Sequence, residues 1–301
     1  MNDSARFRID RRAVARAADR ASTGYTAAAQ LPARVAAELL ERLQFFRLKP
    51  RVIIDLGCGT GVGAAALRRR FPRARVVAVD LALGMTRQAR RGQRFWRRFD
   101  CLCADACALP LKAQSVDLVF SNLMVHSCDD PAALFTQVQR VLRPGGLLLF
   151  SSLGPDTLHE LRSAWAAADT QSHVSAFADM SQLGAAISHA GLAEPVIDRE
   201  IQLRHHPKVR ALMDELRASG ASHAAADRRR GLTGPGRMRL MVDAYELHRT
   251  PAGLPASWEV IYGAAFAGTG HTGRPGPGSD RSAGETAVPV SAVRSRRSTS
   301  P

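Results

Sequence analysis

No run of apolar residues in the chain approaches the roughly 18–20 needed to span a bilayer as a helix, and the arginine-rich first residues contain no continuous apolar core of the kind a secretory leader carries. Asp3, Asp10 and Asp19 also interrupt the acid-poor composition of an organelle transit peptide. The expectation is a cytoplasmic protein. Cysteine is scarce: Cys58, Cys101, Cys103, Cys107 and Cys128 form an odd set, which fits reduced thiols better than a disulfide framework. No Cys/His pairs lie at zinc spacing, so no metal is expected. Aromatic residues make up only 6% of the chain, too few for the stacking platforms of a nucleic-acid binder, and no RNA-binding motif is present. A Ser-His-Asp or Cys-His arrangement is also missing.

Basic charge is abundant. Lys and Arg total 42 against 27 acids, a net +15 carried almost entirely by arginine. This permits an acidic partner without requiring one. Arg87, Arg90, Arg91, Arg94, Arg97 and Arg98 form one run, with the first four of these on one face of an expected helix. Arg228, Arg229, Arg230 and Arg237 form another, in an expected loop over 228–239. The apolar fraction of 46% is ordinary for a globular protein.

Hydrophobic periodicity predicts helices over 10–48 and then alternating strands and helices. Strands are expected at Val52–Leu56, Arg75–Val79, Phe99–Cys103, Ser115–Ser121 and Leu147–Ser151. Helices are expected at Gly61–Phe71, Leu83–Arg94 and Pro131–Val141. Repeated βα units of this length imply an α/β fold, a doubly wound, mostly parallel sheet with helices on both faces. Beyond Ser152 the expected elements are helices over Asp156–Ala168, Met180–Ala190, 207–219 and Met238–Leu247, a strand-like stretch at 194–205, and a late strand at Trp258–Phe266. The expected organisation is a helical lid over 1–48, a Rossmann-like core over 49–152, substrate-side helices and final strands over 153–267, and a disordered basic tail over 268–301 whose composition cannot bury enough apolar surface.

The stretch "VIIDLGCGTGVGAAALRRRFPRARVVAVD", Val52 to Asp80, carries the chemistry. Its glycine loop lets a ligand approach the backbone, and Gly59, Gly61 and Ala64 even satisfy the dinucleotide pattern. Asp55 argues against a dinucleotide, because a carboxylate before the loop would repel a pyrophosphate and attract a cationic ligand. S-adenosylmethionine is such a ligand. Asp80 ends the second strand, where an acid can accept from both ribose hydroxyls. Asp105 and Ala106 follow the third strand, where they can meet an adenine edge, and Asn122 follows the fourth. The full expected cofactor set is Asp55, Gly57, Gly59, Gly61, Asp80, Met85, Asp105, Ala106, Asn122 and Leu123.

"DLGCGTG", the downstream "VVAVD" and "VLRPGGLLLFSS" resemble the class I methyltransferases. The N-terminal "RASTGYTAAAQLPARVAAELLERL", the stretch Ser121–Trp165 with "GPDTLHELRSAW", and the late "GLTGPGRMRLMVDAYELHRTPAGLPASWEVIYGAAFA" resemble the malonyl-acyl-carrier-protein O-methyltransferases of biotin synthesis. The resemblance implies a seven-stranded sheet and transfer of a methyl group to the free carboxylate of a malonyl thioester. The implied substrate is malonyl-acyl-carrier protein or malonyl-coenzyme A; no nucleic acid or membrane is expected. Within the family motifs Arg162 is the candidate grip on the malonyl carboxylate and Tyr25 the candidate lid residue. The chain departs from the family's usual pattern at Ala18, Thr26, His126-Ser127, Ala264 and Phe266. His126 follows the fourth strand, where it can face the methyl acceptor, whereas the adjacent His205 and His206 read as structural. A related enzyme acting on another small acid or quinone precursor, or a respiratory-complex assembly factor modifying a protein arginine, is the alternative.

Overall fold

The computed structural model describes residues 9–268, except 94, 96, 97, 222–224, 226–230 and 232. Expectations for Arg94, Arg97, Arg228, Arg229, Arg230 and the tail after 268 therefore lie outside the described residues.

Helix α1 (Arg11–Ala21) is capped by Asp10, whose carboxylate accepts from Ala13 N at 2.9 Å. Helices α2 (Tyr25–Ala28) and α3 (Gln30–Arg42) follow. The α3 residues Leu31, Val35 and Leu39 recur at helical spacing and are buried in the main core. Then come β1 (Val52–Leu56), α4 (Val62–Arg70), β2 (Arg75–Asp80), α5 (Leu83–Arg91), β3 (Asp100–Cys103), β4 (Val116–Ser121), α6 (Pro131–Val141) and β5 (Leu142–Leu153). The second half adds α7 (His159–Ala166), α8 (Met180–His189), β6 (Leu192–His206), α9 (Val209–Ala218), α10 (Pro235–Glu246) and β7 (Leu254–Ala267).

The seven strands form one sheet in the order β3-β2-β1-β4-β5-β7-β6. Pairing is parallel from β3 through β5 and antiparallel between β7 and each of its neighbours. The order reverses between β1 and β4, so their carboxyl ends open a crevice where ligands of such sheets bind. The central strands are apolar on both faces, as a sheet covered on both sides requires.

Several boundaries differ from expectation; β7, for one, starts at Leu254 and not at Trp258. Strand β5 starts at Leu142, because "LRPGG" joins the ladder as a bulge between the pairs Val116–Leu142 and Leu118–Leu147. Helix α7 starts only at His159: Thr157 is spent on β7, trading hydrogen bonds with the Glu259 backbone, and Leu158 adopts φ 54°. Helix α10 starts at Pro235 inside the expected loop, with proline at a first-turn position where its missing N–H costs nothing. Helix α5 stops at Arg91, so the expected arginine face is described only for Arg87, Arg90 and Arg91. Among the described residues no helix is long and apolar enough to cross a membrane.

Candidate cofactor and substrate site

A cavity of about 230 Å³ sits at the carboxyl ends of β1, β2 and β4. Nine of the twelve expected site residues line it: Tyr25, Gly57, Gly59, Asp80, Met85, Asp105, Ala106, Asn122 and Leu123.

The glycine loop forms its floor. Gly57 has φ 76°, and a Cβ there would lie 2.3 Å from the Met124 side chain, so only glycine fits. Gly57 N and Cys58 N both donate to Val79 O, at 2.8 and 3.0 Å, which ties the loop to the end of β2. Asp80 completes the brace. One carboxylate oxygen accepts from Gly59 N at 2.8 Å and the other from Ala82 N at 2.9 Å. Each oxygen keeps a further acceptor site for a ligand hydroxyl. Burial pushes the Asp80 carboxyl up while those two amides pull it down.

Tyr25 lies over this loop. Its ring passes 3.6 Å from where a Gly59 Cβ would stand, and burial, reinforced by Asp80, pushes its phenol up to about 12. Next to it, the hydroxyls of Thr26 and Thr60 are 3.1 Å apart, so α2 is fastened to the loop. Across the cavity the Ser151 hydroxyl donates to Asn122 Oδ1 at 3.0 Å and accepts from Leu123 N at 2.9 Å. Leu123 is held at φ 50°, a conformation that β-carbon sterics disfavour and that a packed site can enforce.

Three expected site residues do not line the cavity. Asp55 lies beneath the loop, 2% exposed. Its carboxyl takes a hydrogen bond from Ala64 N near the start of α4, its Oδ2 has no partner, and burial pushes it up to about 7. It braces the loop and helix from below, and a Cβ on Gly63 would reach within 2.9 Å of it. Gly61 serves packing: a Cβ there would stand 2.9 Å from Ala89. Arg162 donates to Pro155 O at 2.9 Å and to Thr157 O at 3.2 Å, and these backbone carbonyls, not the cavity, hold its guanidinium. Arg162→Lys keeps the charge but loses the fork that meets two carbonyls. Thermal unfolding should show a loss of about 1 kcal/mol, while the Michaelis constant for substrate stays within about twofold. A large rise in that constant at unchanged stability would return Arg162 to the site.

Sequence reasoning missed several lining groups. Arg11 reaches in from α1 and bridges Asp105 at 2.8 Å and Asp129 at 2.6 Å, fastening α1 across the cavity. Asp105 also accepts from Cys107 N at 2.8 Å, so both its oxygens are engaged. Leu31, Pro32, Leu153, Trp258, Glu215 and the segment Ser219–Ala221 line other parts of the wall. Trp258 is 5% exposed and its Nε1 lacks a partner. His126, expected to face the methyl acceptor, does line the cavity. Its Nδ1 is unpartnered, its ring meets Phe177 edge-on at 5.5 Å, and burial pushes its pKa down to about 4, so it is neutral at pH 7. His205 and His206 stay structural: His205 is exposed, and His206 is buried with its Nε2 3.8 Å from Glu215.

Among the described residues the lining contains the acids Asp80, Asp105 and Glu215 but one guanidinium, Arg11, which two carboxylates already neutralise. Such a site repels a pyrophosphate and accepts a cationic nucleoside. The glycine floor and the free acceptor sites of Asp80 fit S-adenosylmethionine. The sheet order and this site define a class I S-adenosylmethionine-dependent methyltransferase.

The comparisons agree. The family described as "Methyltransferase domain" matches residues 54–150. The malonyl-[acyl-carrier protein] O-methyltransferase of Gallionella capsiferriformans is 41% identical over 266 residues, covering 86% of this chain and 92% of that one. The enzyme of the same name from Halorhodospira halophila is 42% identical over 299 residues, covering 99% and 100%. Among solved structures, the YcgJ protein of Bacillus subtilis matches with a TM-score of 0.55 at 17% identity, covering 77% of this chain and 98% of that one. A SAM-dependent methyltransferase of Thermotoga maritima matches with a TM-score of 0.52 at 15% identity, covering 84% and 99%. The chain belongs to the malonyl-[acyl-carrier protein] O-methyltransferase family, and its methyl donor is S-adenosylmethionine.

Proposed function

We infer that this protein esterifies the free carboxylate of a malonyl thioester carried on acyl carrier protein, in biotin synthesis. The observation that carries the reading, beyond kinship, is a cavity whose acids suit a cationic donor and whose lining histidine, His126, is held by burial at a pKa of about 4, too low for a strong base. A malonyl carboxylate is already ionised at neutral pH, so the reaction requires none. When bound, S-adenosylmethionine supplies an electrophilic methyl group.

The chain's residues then have separate tasks. Gly57 and Gly59 allow close approach to the backbone, and Asp80 accepts from ribose hydroxyls. Tyr25 covers the loop. Leu31, Pro32 and Leu153 exclude water, which strengthens every remaining electrostatic contact. Among the described side chains that line the cavity, the buried polar atoms left without partners are Trp258 Nε1, a donor, and His126 Nδ1. We assign them to the acceptor's oxygens. Being neutral, they can orient a carboxylate without the quenching that a tight guanidinium pair would impose on its attack. Malonyl-coenzyme A is the smaller alternative substrate, lacking the carrier's protein surface.

Complementation tests the reading. The gene should restore growth without biotin to a strain lacking its malonyl methyltransferase, and the Asp80→Ala variant should not. Failure of the wild-type gene, with the protein present and folded, would contradict it.

A further inference from the structure

Helix α1 has two chemically distinct faces. Arg11, Val14 and Ala18, spaced i, i+3 and i+7, line the cavity. Arg12, Arg16 and Arg20, spaced i, i+4 and i+8, are exposed on another face. The helix is held down by the Arg11 bridges and by Asp19, whose Oδ1 accepts from Gly84 N at the start of α5 at 2.6 Å. Ala21 packs with Ala82 and Met85 beneath it. Helix α5, in contact with α1, exposes Arg87, Arg90 and Arg91.

These six guanidiniums make no ion pair or hydrogen bond among the described residues. Asp19 is the single acid on the two helices. Exposed arginines of α9 are treated differently: Arg210 and Arg217 both pair with Asp214. A basic surface also exists on and after α4, at Arg69, Arg70 and Arg73, but α4 contributes no residue to the cavity. The α1/α5 arginines differ in sitting on the reverse side of the cavity's own wall. Six like charges left unpaired there repel one another and are relieved by an acidic partner.

We propose that the outer face of α1, extended by Arg87, Arg90 and Arg91 of α5, is the docking surface for the acidic carrier protein that presents the acyl group. This rests on the function inferred above in its choice of partner. Docking there places the partner against two helices that both carry the charge and wall the cavity, α1 through Arg11, Val14 and Ala18 and α5 through Met85, so the carrier's prosthetic arm has a short route to the site. It also presses α1 onto the cofactor end, through the side of the helix opposite Arg11.

The test is charge reversal in the full chain. Arg12→Glu, Arg16→Glu and Arg20→Glu together should raise the Michaelis constant for malonyl-acyl-carrier protein about tenfold or more and weaken binding of holo-acyl-carrier protein, read by titration. The kinetics with malonyl-coenzyme A and the affinity for S-adenosylhomocysteine should stay within about twofold, which shows that α1 remains folded. The control reversal of Arg69, Arg70 and Arg73 changes the same net charge and should leave carrier binding within about twofold. Three results overturn the proposal: an unchanged carrier constant, an equal loss with malonyl-coenzyme A, or an equal loss from the control. The substrate reading fails separately, if the wild type methylates neither thioester. Titration with the carrier protein then still decides the docking surface, and no binding by the wild type overturns it.

Discussion

Asp80→Ala should weaken S-adenosylhomocysteine binding by about 10- to 150-fold, or roughly 1.5–3 kcal/mol, the scale for hydrogen bonds to a charged group. Two losses combine. The ribose hydroxyls lose their acceptor, and the amides of Gly59 and Ala82 lose the carboxylate that fixes the loop. Asp80→Asn separates Asp80 from an ordinary polar residue. Both its oxygens accept from backbone N–H groups, whereas asparagine offers one acceptor and turns its NH2 toward a donor. The isosteric change should therefore weaken binding nearly as much as the truncation. Calorimetry showing wild-type affinity in both variants would remove Asp80 from the cofactor site.

The second large effect is on stability, at Asp55. Burial pushes this carboxyl up to about 7, against about 3.9 in an unfolded chain. The native state therefore retains a proton that the unfolded state has lost between those values. Below pH 4 both states are protonated and the carboxyl costs little. As pH rises from about 4 to 7, the unfolded state ionises freely and stability falls by about 1.4 kcal/mol per unit. Above pH 7 the native carboxylate is charged and buried, and the penalty levels off at roughly 4 kcal/mol. Asp55→Asn cannot ionise and escapes the penalty. Its stability relative to wild type should rise across that window and then stay constant. Denaturant unfolding of both proteins at several pH values measures it, and a difference that does not vary with pH would mean that Asp55 is solvated in the native state.

The unit from Val52 to Asp80 was legible because its signals are local. A short apolar run, a glycine cluster and a second apolar run ending in an acid fix a strand, loop, helix and strand with no help from distant residues. The acids at successive strand ends share an edge for the same reason. Asp55 shows where this reasoning stopped. Its place before the glycines is readable, but the side chain lies under the loop, bonded to the Ala64 amide near the start of α4, and burial sets its pKa.

Other features depend on long-range closure. Arg11 meets Asp105 and Asp129 across 94 and 118 residues of chain, and no spacing rule connects them. Trp258 reaches the cavity because β7 inserts between β5 and β6, a pairing decided by the finished sheet. Arg162 sits in the most family-like stretch of the second half, yet the delayed start of α7 leaves loop carbonyls that its guanidinium satisfies. His126 stood out in sequence by its place after the fourth strand and as a departure from the family's usual glutamine. That its Nδ1 is buried without a partner, in a ring that lines the cavity, only the fold can create.

The central claim is methyl transfer to a malonyl carboxylate. Mass spectrometry of malonyl-acyl-carrier protein incubated with the purified enzyme and S-adenosylmethionine tests it most directly. The expected result is one added methyl group on the terminal carboxylate of the malonyl moiety, removable by mild base, with one S-adenosylhomocysteine formed per ester and no product from the acetyl thioester, which lacks that carboxylate. Tight binding of S-adenosylmethionine with the malonyl group left unmodified, or a methyl group found on the carrier polypeptide instead, would contradict the account.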